Sequence, residues 1–181
     1  MTVPVVEAAW PAEAGFLNPS AISPLQLLIA RRALRDVGLC EIPKGSNRSP
    51  RIDRYLKDAG VPDSVIRTGE GFWCAAWSGA VYRDCGAKVP NGYAACQSWL
   101  TWGAKNGYLK KTPTVGAVVL YGINNTSHHC GIVLRTDNGY LLSIESNTSL
   151  NGYSREGLLC GLKEIAVDKV LGYVWPTKVD V

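Results

Sequence analysis

Residues 129–146 read His-Cys-Gly-Ile-Val-Leu-Arg-Thr-Asp-Asn-Gly-Tyr-Leu-Leu-Ser-Ile-Glu-Ser, and the fold class follows mainly from this segment. Apolar and β-branched runs flank Asn138-Gly139, a dipeptide that favours the left-handed backbone of a two-residue hairpin turn. The segment therefore predicts two antiparallel strands, over 129–136 and 140–146. Because the first strand continues as Cys-Gly-Ile-Val-Leu, apolar on both faces, we expect protein to cover both of its sides.

The chain before this hairpin has helical patterns. Ser23, Pro24 and Gln26 carry the signature of a capping box, which predicts a helix that runs to Val37 and ends at Gly38. We expect the apolar stripe of this helix to consist of Leu27, Leu28, Leu34 and Val37. Further helices are predicted at 50–59, with Ile52, Tyr55, Leu56 and Ala59 on one face, at 73–86 and at 93–105, with a loop over 60–71.

The chain around and after the hairpin has strand patterns. Short apolar runs predict strands over 115–121, 158–163 and 171–175. Because helices come first and strands follow, the sequence predicts an α+β fold in which N-terminal helices pack on an antiparallel β-sheet.

Composition indicates one soluble globular domain. The 181 residues are 46% hydrophobic and 19% charged, and we expect an N-terminal arm over 1–22 followed by a single domain over 23–181. No apolar run approaches the ~20 residues that span a bilayer, and the first residues lack the basic start of a signal peptide. The net charge of +4 comes without a polybasic run. Nucleic acid is therefore not an expected partner, whereas the charge suits either an anionic polymer or ordinary solubility.

Cysteine and histidine counts restrict the chemistry. There are six cysteines and two histidines, the adjacent His128 and His129. No Cys-x-x-Cys pair occurs, and His128, His129 and Cys130 on one strand would point alternately to opposite faces, so a zinc site is not expected. A disulfide framework needs an oxidising compartment. We expect most of these cysteines to be buried thiols that pack as small apolar groups.

Cys74 is the candidate nucleophile. It stands at the predicted start of an apolar helix, where unpaired backbone N–H groups and the helix dipole favour a thiolate. The same N–H groups can stabilise an oxyanion after attack on a carbonyl. The alternative is a buried cysteine that merely begins a helix.

His129 and Glu145 are the candidate base and orienting acid. Pairing across the hairpin brings the segment around Glu145 beside His129, where a carboxylate can accept the imidazole N–H. Asn147 points the same way if the strand continues, and His128 is expected to be the more exposed histidine. Each residue also has a structural explanation: an edge histidine, a solvated strand end and a turn former. Together, the order Cys, His, acid is typical of papain-like hydrolases.

Four segments of the chain resemble the CHAP amidase family of the NlpC/P60 papain-like superfamily. They are Gly71-Phe-Trp-Cys-Ala-Ala-Trp, Val115-Gly-Ala-Val-Val-Leu-Tyr, His129-Cys-Gly-Ile-Val-Leu and Ile144-Glu-Ser-Asn-Thr-Ser. Phage-type members are also similar at Glu41-Ile-Pro-Lys-Gly-Ser-Asn, Ile52-Asp-Arg-Tyr-Leu, Ser154-Arg-Glu-Gly and Leu171-Gly-Tyr-Val-Trp-Pro. The resemblance extends over about residues 25–176.

The resemblance implies a papain-like peptidoglycan hydrolase. In that family's scheme Cys74 is the nucleophile, His129 the general base and then acid, Glu145 the residue that orients the histidine, and Asn147 an assisting group. We expect Trp73, beside the nucleophile, to line a substrate groove. The calcium loop of some relatives is missing, so we predict no metal and no cofactor. We expect a monomer whose partner is peptidoglycan.

Two function classes and several settings stay open at this stage. The chain is either a cysteine amidase or endopeptidase, cutting the muramoyl–L-alanine amide or a peptide bond, or an idle wall-binding or structural module of a phage particle or secretion system. Without a signal peptide, we expect cytoplasmic synthesis and action on the cell wall after phage lysis, virion injection or dedicated secretion. In the role of an injected toxin, it would be paired with an immunity protein.

Overall fold

A computed structural model describes residues 22–149 and 157–179 of the protein. The predicted arm over 1–22 falls almost entirely outside these residues, and so does most of the Ser154-Arg-Glu-Gly segment. Within the described residues, no helix has both the length and the apolar character that crossing a bilayer requires. The structure confirms an α+β fold with a six-stranded antiparallel sheet.

Besides a short 3₁₀ helix at Val167–Lys169, five α-helices are described. They are α1 (Pro24–Leu34), α2 (Pro50–Asp58), α3 (Asp63–Thr68), α4 (Cys74–Asp84) and α5 (Cys96–Lys105). The predicted capping box at the start of α1 is present, with the Ser23 side chain accepting from the Gln26 backbone and Gln26 Oε1 accepting from the Ser23 N–H. The α2 prediction is also confirmed, since Ile52, Tyr55 and Leu56 are its buried residues.

The predicted end and apolar stripe of α1 are wrong. The helix ends at Leu34, and its buried residues are Leu25, Ile29, Ala30 and Ala33. Leu28 and Val37 are 50% and 42% exposed. The prediction followed the largest aliphatic residues, whereas the face of α1 that packs on the core carries alanines, which allow a close approach to α4.

The predicted loop over 60–71 contains α3. Asp63 lies in its first turn and Arg67 in its last, and Gly69 ends it in the left-handed region with φ of 74°. The sequence prediction missed this helix because its two turns are too short to show an apolar period.

Six strands form one sheet in the order β1-β6-β2-β3-β4-β5. They are β1 (Leu109–Lys110), β2 (Val118–Ile123), β3 (Thr126–Asp137), β4 (Tyr140–Thr148), β5 (Leu159–Ala166) and β6 (Gly172–Val174). The predicted hairpin of β3 and β4 is present, and Asn138 and Gly139 have the positive φ angles that this two-residue turn requires. The two-residue β1 was not predicted, and β2 begins three residues later than expected.

Two apolar layers cover the sheet. The larger one joins the helices to one face of the central strands through side chains such as Leu120, Ile132 and Ile144. The smaller one includes Val119, Val133 and Tyr173 on the alternate positions of the same strands. The expectation that β3 is covered on both sides is therefore confirmed.

Asp36 is a buried carboxylate that connects the first, second and fourth helices. Its Oδ2 accepts hydrogen bonds from the Tyr55 hydroxyl and the Trp77 indole, both at 2.8 Å. Arg32 Nη1 lies 2.9 Å from Oδ2, and Arg51 Nη2 lies 2.6 Å from Oδ1. Because the carboxylate is paired on both oxygens, its charge is tolerated in the interior.

We expect Asp36→Ala to lower the free energy of unfolding by about 3–5 kcal/mol, since the change removes the buried counter-charge of Arg32 and the acceptor of both the Trp77 N–H and the Tyr55 hydroxyl. Asp84→Ala is the matched control, because Asp84 also pairs with Arg32 but is half exposed. We expect Asp84→Ala to lower the free energy of unfolding by only about 0–1 kcal/mol. Urea unfolding followed by circular dichroism measures both, and equal losses would contradict the assigned role of Asp36.

Candidate active site

Cys74 is the first residue of α4, a helix that the core surrounds almost completely. No side chain caps this end of the helix, and the first intrahelical bond runs from the Trp77 N–H to the Trp73 carbonyl. The N–H groups of the first turn therefore point toward the thiol end of the helix without intrahelical partners. Only 4% of Cys74 is exposed, so the sulfur lies in a mostly apolar, water-poor environment.

His129 and Glu145 are paired. Nε2 of His129 lies 3.0 Å from Oε2 of Glu145, and the carboxylate is buried. With Nε2 as the donor to this carboxylate, Nδ1 of the neutral imidazole carries the lone pair. Nδ1 is buried and has no hydrogen-bond partner among the described residues. This tautomer leaves Nδ1 as the atom able to take up a proton.

Gly131 allows the carboxylate to reach the histidine. A bulge in β3 near Leu134 shifts the hairpin register by one residue, so that Glu145 stands opposite Gly131. A Cβ atom on Gly131 would lie 2.7 Å from Cγ of Glu145. The glutamate side chain therefore passes over Gly131, where there is no Cβ, and contacts His129. His129 lies two residues before Gly131 on the same face of β3.

Tyr121 and Ser143 hold this pair in place. The Tyr121 ring stacks on the imidazole with 5.8 Å between centroids, and the two residues are partners in the β2–β3 register. The Ser143 hydroxyl donates to the second oxygen of Glu145 at 3.0 Å and lies 3.2 Å from the Tyr121 hydroxyl. Both carboxylate oxygens are thus engaged, which fixes the direction from which Glu145 contacts the imidazole.

Electrostatics favour an ionised thiol and a protonated imidazole. Burial works against the charged imidazole, yet the contacts with Cys74 and Glu145 raise the pKa of His129 to about 10. Hydrogen bonds from the thiols of Cys130 and Cys96, and a further contribution from His129, hold the pKa of Cys74 well below its usual range despite burial. His129 also lowers the pKa of Glu145, against the effect of burial. The sulfur and the imidazole influence each other without a formed hydrogen bond, which is common in the absence of substrate.

Two further cysteines surround the candidate nucleophile. Cys96 Sγ lies 3.6 Å from Cys74 Sγ and 3.7 Å from Cys130 Sγ. All three sulfurs lie within 4.8 Å of one another, and all three residues are buried free thiols. Among the described residues this is the group of side chains able to hold a metal ion. The sequence suggested buried thiols, but it gave no sign that three of them meet.

Asn147 lies in an irregular part of β4. The pairing with β5 shifts between Glu145 and Thr148, and Asn147 has a φ of 53°. Its amide nitrogen donates to Oδ1 of Asn47 at 3.0 Å, and Asn47 in turn donates to the Gly69 carbonyl. Because the strand is interrupted here, the regular alternation that underlies the prediction for Asn147 does not hold. The described contact connects it to the loop before α2.

The prediction that Trp73 lines a substrate groove is not supported. Its side chain has no exposed surface, and its indole N–H donates to Oε1 of the buried Glu41 at 3.1 Å. Trp73 therefore belongs to the core beneath the helix start. The neighbouring Phe72 is 37% exposed and is the aromatic side chain that this segment offers to solvent.

The two histidines differ as the sequence suggested. His128 is exposed, whereas the His129 side chain is 13% exposed and paired with Glu145.

The sequence prediction missed Gly131, Tyr121 and Ser143. A glycine inside an apolar strand is a known sign of close approach by another group, so Gly131 could have been found from the sequence. Tyr121 and Ser143 had no comparable signal.

Comparison with known proteins identifies no relative. No family model matches the chain, and neither the curated proteins nor the solved structures contain a significant match to it.

Proposed function

We propose that the protein is a cysteine hydrolase that cleaves an amide bond in the peptide part of peptidoglycan. The observation that carries the reaction type is the His129–Glu145 pair, together with the thiol of Cys74 at a helix start, whose pKa the imidazole lowers. The substrate class rests on a different support, the resemblance of the segments around these residues to CHAP amidases. The same resemblance supports a papain-like arrangement of the helices and the sheet.

The first half of the reaction forms a thioester. The Cys74 thiol gives its proton to Nδ1 of His129, and the sulfur attacks the carbonyl carbon of the scissile amide. The developing oxyanion accepts hydrogen bonds from backbone N–H groups at the start of α4, including that of Cys74 itself. The imidazolium then returns the proton to the amide nitrogen, the C–N bond breaks, and the amine leaves.

The second half releases the enzyme. Nδ1 of His129 removes a proton from water, and the resulting hydroxide attacks the thioester carbonyl. The C–S bond breaks, the carboxylic acid leaves, and the proton on Nδ1 restores either the thiol or the ion pair. No oxidant or reductant takes part, so Cys74, His129 and Glu145 account for every proton that moves.

Glu145 acts on the imidazole rather than on substrate. It accepts a hydrogen bond from the Nε2 N–H, which keeps Nδ1 available as the base, and its charge stabilises the imidazolium that forms after proton transfer. The bonds from Ser143 and the stack of Tyr121 fix its orientation and that of the ring. These residues are positioning residues in this scheme.

We expect Cys74→Ala to abolish hydrolysis of purified peptidoglycan sacculi, with a fall in rate of about 10⁴-fold or more, because no other group can form the acyl-enzyme. Release of soluble fragments measures the rate, and mass spectrometry of the new ends identifies the bond. Cys160→Ala is the control, as Cys160 is also a buried free thiol but lies outside the cluster.

Sacculi of several peptide types should be tried, because the bond that is cut is not specified by the site. If wild type and Cys74→Ala bind sacculi equally and neither releases fragments from any of them, the hydrolase proposal fails. That outcome would instead support a wall-binding module that retains the fold.

The adjacent histidines offer a second test. We expect His129→Ala to reduce hydrolysis by about 10²–10⁴-fold, the usual contribution of a general base, while His128→Ala keeps the wild-type rate. His128 is the matched control because it is the same residue type one position away and is exposed. Equal losses in both variants, with unchanged folding by circular dichroism, would contradict the assignment.

The pH dependence of the thiol is a third test. The raised pKa of His129 and the lowered pKa of Cys74 predict a thiolate–imidazolium pair that is lost at low pH, when the thiolate is protonated, and above about pH 10, when the imidazolium loses its proton. The ultraviolet absorbance of thiolate should therefore show a step at a pH below the normal range for thiols.

Variants assign that step. It should be absent in Cys74→Ala and should move to higher pH in Glu145→Gln, since an uncharged partner stabilises the imidazolium less. His128→Ala should leave it unchanged. A wild-type protein whose thiols all ionise in the ordinary range would contradict the ion pair.

A further inference from the structure

We propose that Cys74, Cys96 and Cys130 form a binding site for one zinc ion. Two of the three distances between their sulfurs are close to those of a tetrahedral zinc site. Zinc–sulfur bonds of about 2.3 Å in tetrahedral geometry hold the sulfurs about 3.8 Å apart. The distances between sulfurs are 3.6 Å for Cys74–Cys96 and 3.7 Å for Cys96–Cys130, and the third pair lies within 4.8 Å.

The three sulfurs are held by rigid elements. Cys74 begins α4, Cys96 begins α5 and Cys130 lies within β3, and α4 and α5 both pack on that strand. None of the three residues is more than 8% exposed. The triangle of sulfurs is therefore present in the folded chain before any metal arrives, which reduces the entropic cost of binding.

The three cysteines lie far apart along the sequence, and for this reason the sequence does not resemble a zinc motif. Cys74 and Cys96 are 22 residues apart, and Cys96 and Cys130 are 34 apart. Common zinc modules bring their ligands in close Cys-x-x-Cys pairs. Here the packing of two helices on one strand brings the ligands together instead, so the proposal departs from the expectation of a metal-free chain.

The chemistry of binding involves no change of oxidation state. Each thiol loses a proton to solvent as its sulfur forms a bond to Zn²⁺, and water or an added ligand completes the four-coordinate shell. Ser78 supplies an outer contact, because its hydroxyl lies 3.6 Å from Cys130 Sγ. Zinc prefers such thiolates, whereas magnesium and calcium prefer oxygen ligands and should not compete.

A consequence for activity rests on the proposed function. The lone pair that Cys74 needs for attack on a carbonyl is engaged in a bond to the metal, so the zinc-loaded protein is an inactive form of the hydrolase. The binding proposal does not depend on this consequence, because it concerns the three sulfurs alone.

The test is direct measurement of metal binding by the reduced full-length chain. After removal of metal with a chelator, the protein is titrated with Zn²⁺ in competition with a chromogenic chelator, and with Co²⁺ as a spectroscopic probe. We expect one Zn²⁺ per chain, and a thiolate-to-cobalt charge-transfer band together with the visible absorption of a tetrahedral site. Excess Mg²⁺ should not reduce either signal.

Single substitutions identify the ligands. Cys96→Ala, Cys130→Ala and Cys74→Ser should each weaken zinc binding by more than about 100-fold, since the loss of a ligand exceeds the usual cost of losing an outer-shell contact. Cys160→Ala is the control and should bind as wild type does. Because Cys130 is fully buried, Cys130→Ser is measured as well, and thermal melting confirms that each variant is folded.

Three outcomes would overturn the proposal. One is the absence of stoichiometric Zn²⁺ binding by fully reduced wild type. Another is unchanged affinity in folded Cys96→Ala or Cys130→Ala. The third is zinc binding by the reduced wild type that Cys160→Ala weakens and that the variants of the three cluster cysteines leave unchanged. The failure of zinc binding would leave the hydrolase proposal intact, because sacculus digestion by Cys74 is measured separately without metal.

Discussion

The buried contact between Glu145 and His129 constrains much of the structure around the candidate site. A carboxylate with 2% exposure needs partners for both oxygens, and it has them in His129 and Ser143. The contact also requires a glycine at position 131, because any Cβ there would collide with the glutamate. The bulge in β3 sets the register that places these residues opposite each other. The hairpin turn, the bulge, the glycine and the carboxylate are therefore all needed for the contact between Glu145 and His129.

Two other buried acidic side chains join elements by accepting hydrogen bonds from indole N–H groups. Asp36 accepts from the Trp77 indole inside α4, and Glu41 accepts from the Trp73 indole just before that helix. Each indole donates a single N–H that would otherwise be unpaired in the core. The helix that begins with Cys74 is therefore connected at its start and along its length to the segment after α1, and the position of the thiol depends on these contacts.

The sequence was sufficient for the α+β class with an antiparallel sheet and for the contact between His129 and Glu145. Local signals with a strong physical basis, such as the Asn138-Gly139 turn and the α1 capping box, led to correct elements. Errors arose where tertiary packing overrides local pattern: the buried face of α1 combines Leu25 and Ile29 with two alanines, and it leaves Leu28 exposed. The meeting of three thiols could not be predicted, because it depends on how two helices settle on β3, which no local pattern encodes.

The same three thiols are involved in both proposals, amide hydrolysis and zinc binding. While Cys96 and Cys130 keep their protons, these two thiols lower the pKa of Cys74 and favour its thiolate, which is the form that the proposed hydrolysis requires. When they are deprotonated, the same three sulfurs present negative charge to a common point, and only a cation there can offset the repulsion. Reactivity and metal affinity therefore draw on the same lone pairs of Cys74. In the proposed hydrolase, Cys74 would therefore attack its substrate only while Cys96 and Cys130 keep their protons.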